Sequence, residues 1–155
     1  MNKYNLRLGD WVKIPKLVYD AGDGDFSLGY YQITKLEDDE VWTTGLKEIG
    51  YDEIEPIPLT PEILAQIGFK KDKQLNLSPD YRYHSGSPDF DILINLSSTS
   101  DKDMMIECYN HEKKIQASYI CTGAGYRSEK YKRELFVHDL QHLIEDTECQ
   151  KEIVL

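Results

Sequence analysis

The chain lacks a cysteine framework. Of its 155 residues only three are cysteines, Cys108, Cys121 and Cys149, and no two of them form a C-x-x-C pair. An odd, widely spaced set gives no basis for a disulfide scaffold and suits reduced thiols in a cytoplasm. Basic charge is scarce too. Acids outnumber Lys and Arg 28 to 18, for a formal net charge of −10. That balance argues against a general binder of nucleic acid or anionic membrane, because phosphate surfaces attract basic ones. The opening MNKYNLRLGD has no apolar stretch of the kind a signal peptide needs. No run approaches the roughly 18 apolar residues of a membrane-spanning helix. The expected compartment is the cytoplasm.

What is present suffices for a core, since 40% of the residues are hydrophobic. The first sixty residues read as short strands. LRLGDWVKI turns at Gly9-Asp10, and YYQITKL (Tyr30 to Leu36) and EVWTT (Glu40 to Thr44) flank the acidic loop LEDDE. YDEIEPIPL closes the region, its prolines ending any ladder they enter. Four or five such strands suggest a small SH3-like barrel. TPEILAQIGF then predicts a short helix, with Thr60 as cap, Pro61 in the first turn, an apolar stripe of Ile63, Leu64 and Ile67, and Gly68 as the stop.

From about Leu75 the period falls to two. YRYH (Tyr81 to His84), Phe90/Ile92/Ile94/Leu96, Met104/Ile106/Cys108 and Ile115/Ala117/Tyr119/Cys121 describe an antiparallel meander, with turns at SSTSDKD and NHEK. A last helix covers roughly Phe136 to Asp146. The expected fold is α+β: a small SH3-like N-terminal β-barrel over residues 1–59, then a short helix, an antiparallel β-meander and a C-terminal helix over 60–155. The two parts could also share one core.

Several stretches invite a chemical reading. HDLQH, His138 to His142, stands close to the HExxH of zinc peptidases, and His138, His142 and Glu145 fall on one helix face, opposite Val137, Leu140 and Ile144. Asp139, however, is shorter than the glutamate general base of those enzymes. The plainer reading is a solvated helix face, and no cofactor is expected. DAGDGDF (Asp20 to Phe26) lacks the glycine and glutamate spacing of an EF-hand and reads as a turn. HSGSPDFD (His84 to Asp91) holds no G-x-S-x-G elbow and reads as a loop between strands. Arg127, Lys130 and Arg133 belong to the one basic cluster, in CTGAGYRSEKYKRE, and could cradle a phosphate, although no P-loop motif is there. Tyrosines are numerous, 11 in all. Tyr81, Tyr83, Tyr109 and Tyr119 fall in expected strands, where they serve either as β-formers or as a recognition face.

NLRLGDWV (Asn5 to Val12), IEPIPLTPEILAQIGF (Ile54 to Phe69) and ELFVHDLQHL (Glu134 to Leu143) occur in an order and spacing that resemble a family of small uncharacterised proteins from gut Bacteroidales and their phages and prophages. Its members read N-L-R-I-G-N-[WY]-V, then I-x-P-I-P-L-T-E-E-x-L-x-x-x-G-F, then V-H-x-L-Q-N-L. The resemblance implies a mobile-element protein with no established activity. Asn is usual where His142 stands, which weakens a zinc pair built on that residue. His138 and Gln141 fit the pattern and are candidates to dock the helix or to contact a partner. After Leu143 the sequence departs from the pattern, leaving the packing of IEDTECQKEIVL open.

The preferred functional expectation is a non-enzymatic binding or accessory module from a phage or mobile element, in a counter-defence role. It would bind a host protein or sequester a small nucleotide-like ligand in the bacterial cytoplasm, with a homo-oligomer allowed. The alternatives are a phage assembly component, a metal-dependent hydrolase using HDLQH, and an acidic mimic of DNA displaying Glu37 to Glu40 and Asp52 to Glu55.

Overall fold

The structure is a computed structural model and describes residues 4–15, 29–72, 80–97, 104–121 and 135–155; of Asp80, Tyr81, Ser97 and Cys121 it describes the backbone alone. DAGDGDF and the Arg127, Lys130 and Arg133 cluster lie outside the described residues. The chain forms two compact units, Met1–Ile57 and Pro58–Leu155.

In the first unit, β1 (Trp11–Lys13), β2 (Tyr30–Leu36), β3 (Glu40–Thr43), β4 (Leu46–Gly50) and β5 (Glu55–Pro56) pair in the order β4-β3-β2-β1-β5, every pair antiparallel. LEDDE makes the expected hairpin, with Glu37 N–H donating to the Glu40 carbonyl at 2.9 Å. Thr44 and Gly45 turn β3 into β4, and Gly45 has φ +88°, a left-handed conformation that glycine adopts without strain. A 3₁₀ turn, Tyr51–Glu53, precedes β5 and is capped where Glu53 accepts from the Gly50 N–H at 3.2 Å. Val12, Ile33, Val41, Leu6, Tyr51 and Ile54 form the core, with Leu36 and Ile49 packed against it. Alternation along each strand sends these residues to one face. The expected closed barrel is not seen: among the described residues nothing pairs β4 with β5, and the sheet is open.

The second unit opens on α1 (Pro61–Gln66). Thr60 caps it as expected, its hydroxyl accepting from the Ile63 N–H at 3.3 Å, and Gly68 ends it at φ +89°. β6 (Lys70–Lys71), β7 (Asp80–Ser87), β8 (Phe90–Ser97), β9 (Met104–Asn110) and β10 (Ile115–Cys121) follow as an antiparallel meander, ordered β10-β9-β8-β7-β6. HSGSPDFD is mostly strand rather than loop. His84 to Ser87 finish β7, Phe90 starts β8, and Pro88 and Asp89 alone make the turn. One face of this sheet is apolar: Tyr83, Phe90, Ile92, Ile94, Leu96, Ile106 and Cys108 are buried. Each such side chain contributes roughly 2 kcal/mol through burial.

α2 (Val137–Asp146) packs against β9 and β10. Its Val137, Leu140, Leu143 and Ile144 are buried, as are Cys149 and Ile153 beyond it, so the divergent tail belongs to the core. Beside the helix, Leu59 N–H donates to the Leu135 carbonyl at 2.8 Å and Pro58 bridges Phe136.

Candidate functional site: the open face of the second sheet

Because α2 covers one face of the meander, the side chains of opposite parity form its other face. Cross-strand register sets them in rows, with Asp91 opposite Tyr109 and Tyr109 opposite Gln116 in one row, and His84 opposite Leu93 and Leu93 opposite Glu107 in the next. They line a cleft of about 720 Å³ walled by Asp72, His84, Asp91, Leu93, Glu107, Tyr109 and Gln116. That volume lies within the range of small-ligand pockets. A second cleft, between α2 and the tail, measures about 200 Å³.

The polar groups of the larger cleft are held in pairs. His84 Nδ1 is bonded to Asp72 Oδ1. His111 Nε2 lies 2.7 Å from Asp91 Oδ2, and its ring meets Tyr109 edge-on at 4.7 Å between centroids. Gln116 donates to Glu107 Oε1 at 2.6 Å. Three carboxylates thus line the cleft, each fixed by a histidine or an amide, and among the described residues no Lys or Arg is in its lining. Leu93 and Tyr109, both half-buried, form an apolar floor between them. The arrangement offers aimed hydrogen-bond acceptors around a flat apolar patch, which suits a ligand rich in donors.

Of the stretches singled out from the sequence, Tyr109 and the two ends of HSGSPDFD, His84 and Asp91, line this cleft, while the Arg127, Lys130 and Arg133 cluster lies outside the described residues. Tyr83 is buried on the helix side and offers no recognition surface. Tyr119 is 43% exposed on edge strand β10, and the side chain of Tyr81 lies outside the described set. Gln141 is half-buried on α2.

The expected solvated face of HDLQH is corrected. His138 and His142 are both buried, at 4% and 9% exposure, while Glu145 is exposed. The His138 ring stacks on Phe136 with 5.6 Å between centroids and 7° between planes, and it stands 5.6 Å from the His142 ring. Asp139, in the place of the peptidase general base, instead accepts from the Phe136 N–H at 2.9 Å and caps the helix. Among the described residues no three His, Cys, Asp or Glu side chains converge as metal ligands. Packing accounts for this stretch: a helix with so few exposed positions takes its histidines into the core.

Sequence reasoning missed Asp72, Asp91, Glu107, His111 and Gln116. The signal for Asp91, Glu107 and Gln116 is the off-phase position in an alternating strand, with Asp91 and Leu93 between Phe90, Ile92 and Ile94, and Glu107 and Tyr109 around Cys108; Asp72 and His111 lie outside the strands and carry no such signal. No protein-family model matches the chain, nor does any curated protein or solved structure. Among the described residues no helix is long and apolar enough to cross a membrane.

Proposed function

We propose that the protein is a non-enzymatic binding module whose ligand site is the open face of the second sheet, and that the ligand presents a cationic, donor-rich group. The single observation that carries this reading is the 720 Å³ cleft in which Asp72, Asp91 and Glu107 surround Leu93 and Tyr109, with no Lys or Arg among the described residues of its lining. A guanidinium or amine on an apolar stem matches both features: carboxylates accept its N–H groups, and the tyrosine ring receives its stem or its charge. A nucleotide-like ligand had its support in Arg127, Lys130 and Arg133, whereas the cleft carries the opposite charge. The hydrolase reading loses ground because His138 and His142 are buried and Asp139 is committed to the helix cap.

Three sequence segments favour a phage or mobile-element accessory that acts on a host protein, with a basic surface segment of that protein as the natural occupant of an acidic cleft. We also read the first unit as SH3-like in topology. The order β4-β3-β2-β1-β5 and the 3₁₀ turn before the last strand support it, though the sheet does not close.

Calorimetric titration with agmatine, a guanidinium and an amine joined by a four-carbon stem, tests the site. Glu107→Gln combined with Asp91→Asn should weaken its binding by about tenfold, the scale of charge-assisted hydrogen bonds lost. Equal affinity for the variant and the wild type would remove the cleft from consideration.

A further inference from the structure

Inside a regular strand a glycine costs stability, and it commonly marks a bulge, a bend or a close approach to the backbone. Gly86 stands opposite Asp91 of β8, in the row of the open face that continues to Tyr109. No bulge explains it, since β7 and β8 pair in one register from Asp80↔Ser97 to Ser87↔Phe90. What uses the space is a carboxylate. A Cβ built at Gly86 would stand 2.9 Å from Asp91 Oδ1 and 3.4 Å from the Phe90 carbonyl oxygen, so a side chain there displaces the carboxylate.

The second oxygen of Asp91 is held too. Oδ2 lies 2.7 Å from His111 Nε2. His111 is itself placed twice, by its backbone N–H, which donates to the Asp89 carbonyl at 2.8 Å, and by the edge-on Tyr109 ring. The side chain of Asp91 is nevertheless 66% exposed. An exposed carboxylate ordinarily turns freely; this one is oriented before any ligand arrives, which removes part of the ordering cost of binding.

Such orientation matters to one kind of cation more than to another. An ammonium is a compact charge with three rotatable N–H groups and meets a carboxylate in many poses. A guanidinium is a rigid planar fork that matches carboxylate oxygens in a set plane, and its flat head stacks on aromatic rings. Asp91 offers oriented oxygens, each with more than one lone pair, and Tyr109 stands opposite it on β9. We propose that the cleft reads a guanidinium in preference to an ammonium, as the side chain of an arginine in a basic protein segment, and that Gly86 and His111 set this preference by orienting Asp91. The inference rests on the reading of the cleft as a site for a cationic group and narrows it to one head group.

Agmatine and cadaverine are dications of similar length that differ in one head group, guanidinium against amine. In calorimetric titrations of the full chain at matched ionic strength, agmatine should bind about five- to tenfold more tightly. N-acetylarginine methylamide should show the same preference over its lysine counterpart; without it, a protein side chain is overturned as the source. Gly86→Ala should keep the fold, since alanine costs a strand less than glycine, and should bring the agmatine and cadaverine affinities within about twofold of each other. His111→Ala, in an exposed turn, should lower the same ratio by freeing Oδ2, whereas damage to the fold would weaken both ligands in step. Equal affinity of the wild type for the two dications, or a ratio that neither variant changes, overturns the proposal. Absence of binding by both is a different failure: it removes the cleft itself as a site, and the head-group preference with it.

Discussion

Replacing Asn110 with alanine is expected to destabilise the second unit by about 3 kcal/mol, the sum of three hydrogen bonds and the desolvation left uncompensated. Asn110 is 6% exposed at the end of β9. Its Nδ2 gives one proton to the carbonyl of Thr147, at 3.0 Å, and the other to that of Glu148, at 3.1 Å. Its Oδ1 accepts the Lys113 N–H at 3.0 Å in the β9–β10 turn. The carbonyls at the end of a helix have no partner within the helix, and this amide supplies one. Aspartate would set a second acceptor against two acceptors, so Asn110→Asp should do at least as much harm at neutral pH. Urea unfolding with an unchanged slope measures the loss, and the melting temperature of a unit this size should fall by roughly 10–20 °C. A cost below 1 kcal/mol would show that water replaces the amide freely.

Stability is also expected to fall steeply above pH 9, with Cys108 as the main cause. This thiol is fully buried on β9, and its pKa is pushed from 9.0 to about 12, first by burial and then by the nearby Cys149 and Glu107, against a hydrogen bond from Thr147 that pulls it down. A folded value above the unfolded one means that the fold favours the protonated thiol. That contribution is intact below about pH 9 and is lost progressively as the pH rises toward 12. The interval is worth on the order of 4 kcal/mol. Tyr51 adds to the same alkaline loss, its pKa raised by burial and then by Asp38, Asp39 and Glu37. Lys151 works in the opposite sense, since burial lowers its pKa. Urea midpoints measured from pH 8 to 11 should fall less in Cys108→Ala than in the parent; parallel curves would assign the alkaline loss to other groups. Native alkylation at pH 8 should leave Cys108 unmodified until the unit unfolds.

The elements that could be read from the sequence are those whose signals are local. β2 occupies Tyr30–Leu36 as expected because an apolar residue, a β-branched pair and an acidic turn all agree there. α1 was legible from its cap, its proline and its glycine. β4 was not, since LKEIG neither alternates nor avoids charge, and Glu48 sits at positive φ. The last helix was placed within a residue, yet its faces were misjudged because histidine counts as polar in a helical projection while His138 and His142 pack as rings. The cleft could not be read at all as a cleft. Asp91 meets His111 across 20 residues and Glu107 meets Gln116 across 9, and strand register alone decides both.

The most direct test of the open sheet face as a ligand site is a ¹H–¹⁵N shift titration of the ¹⁵N-labelled protein with agmatine. The expected result is a saturable set of shifts concentrated at Leu93, Glu107, Tyr109 and Gln116, with the buried face around Ile94 and Ile106 unmoved. Small, non-saturating shifts spread over acidic residues of both units, Asp38, Asp39 and Asp52 among them, would show general attraction to a −10 chain and contradict a built site.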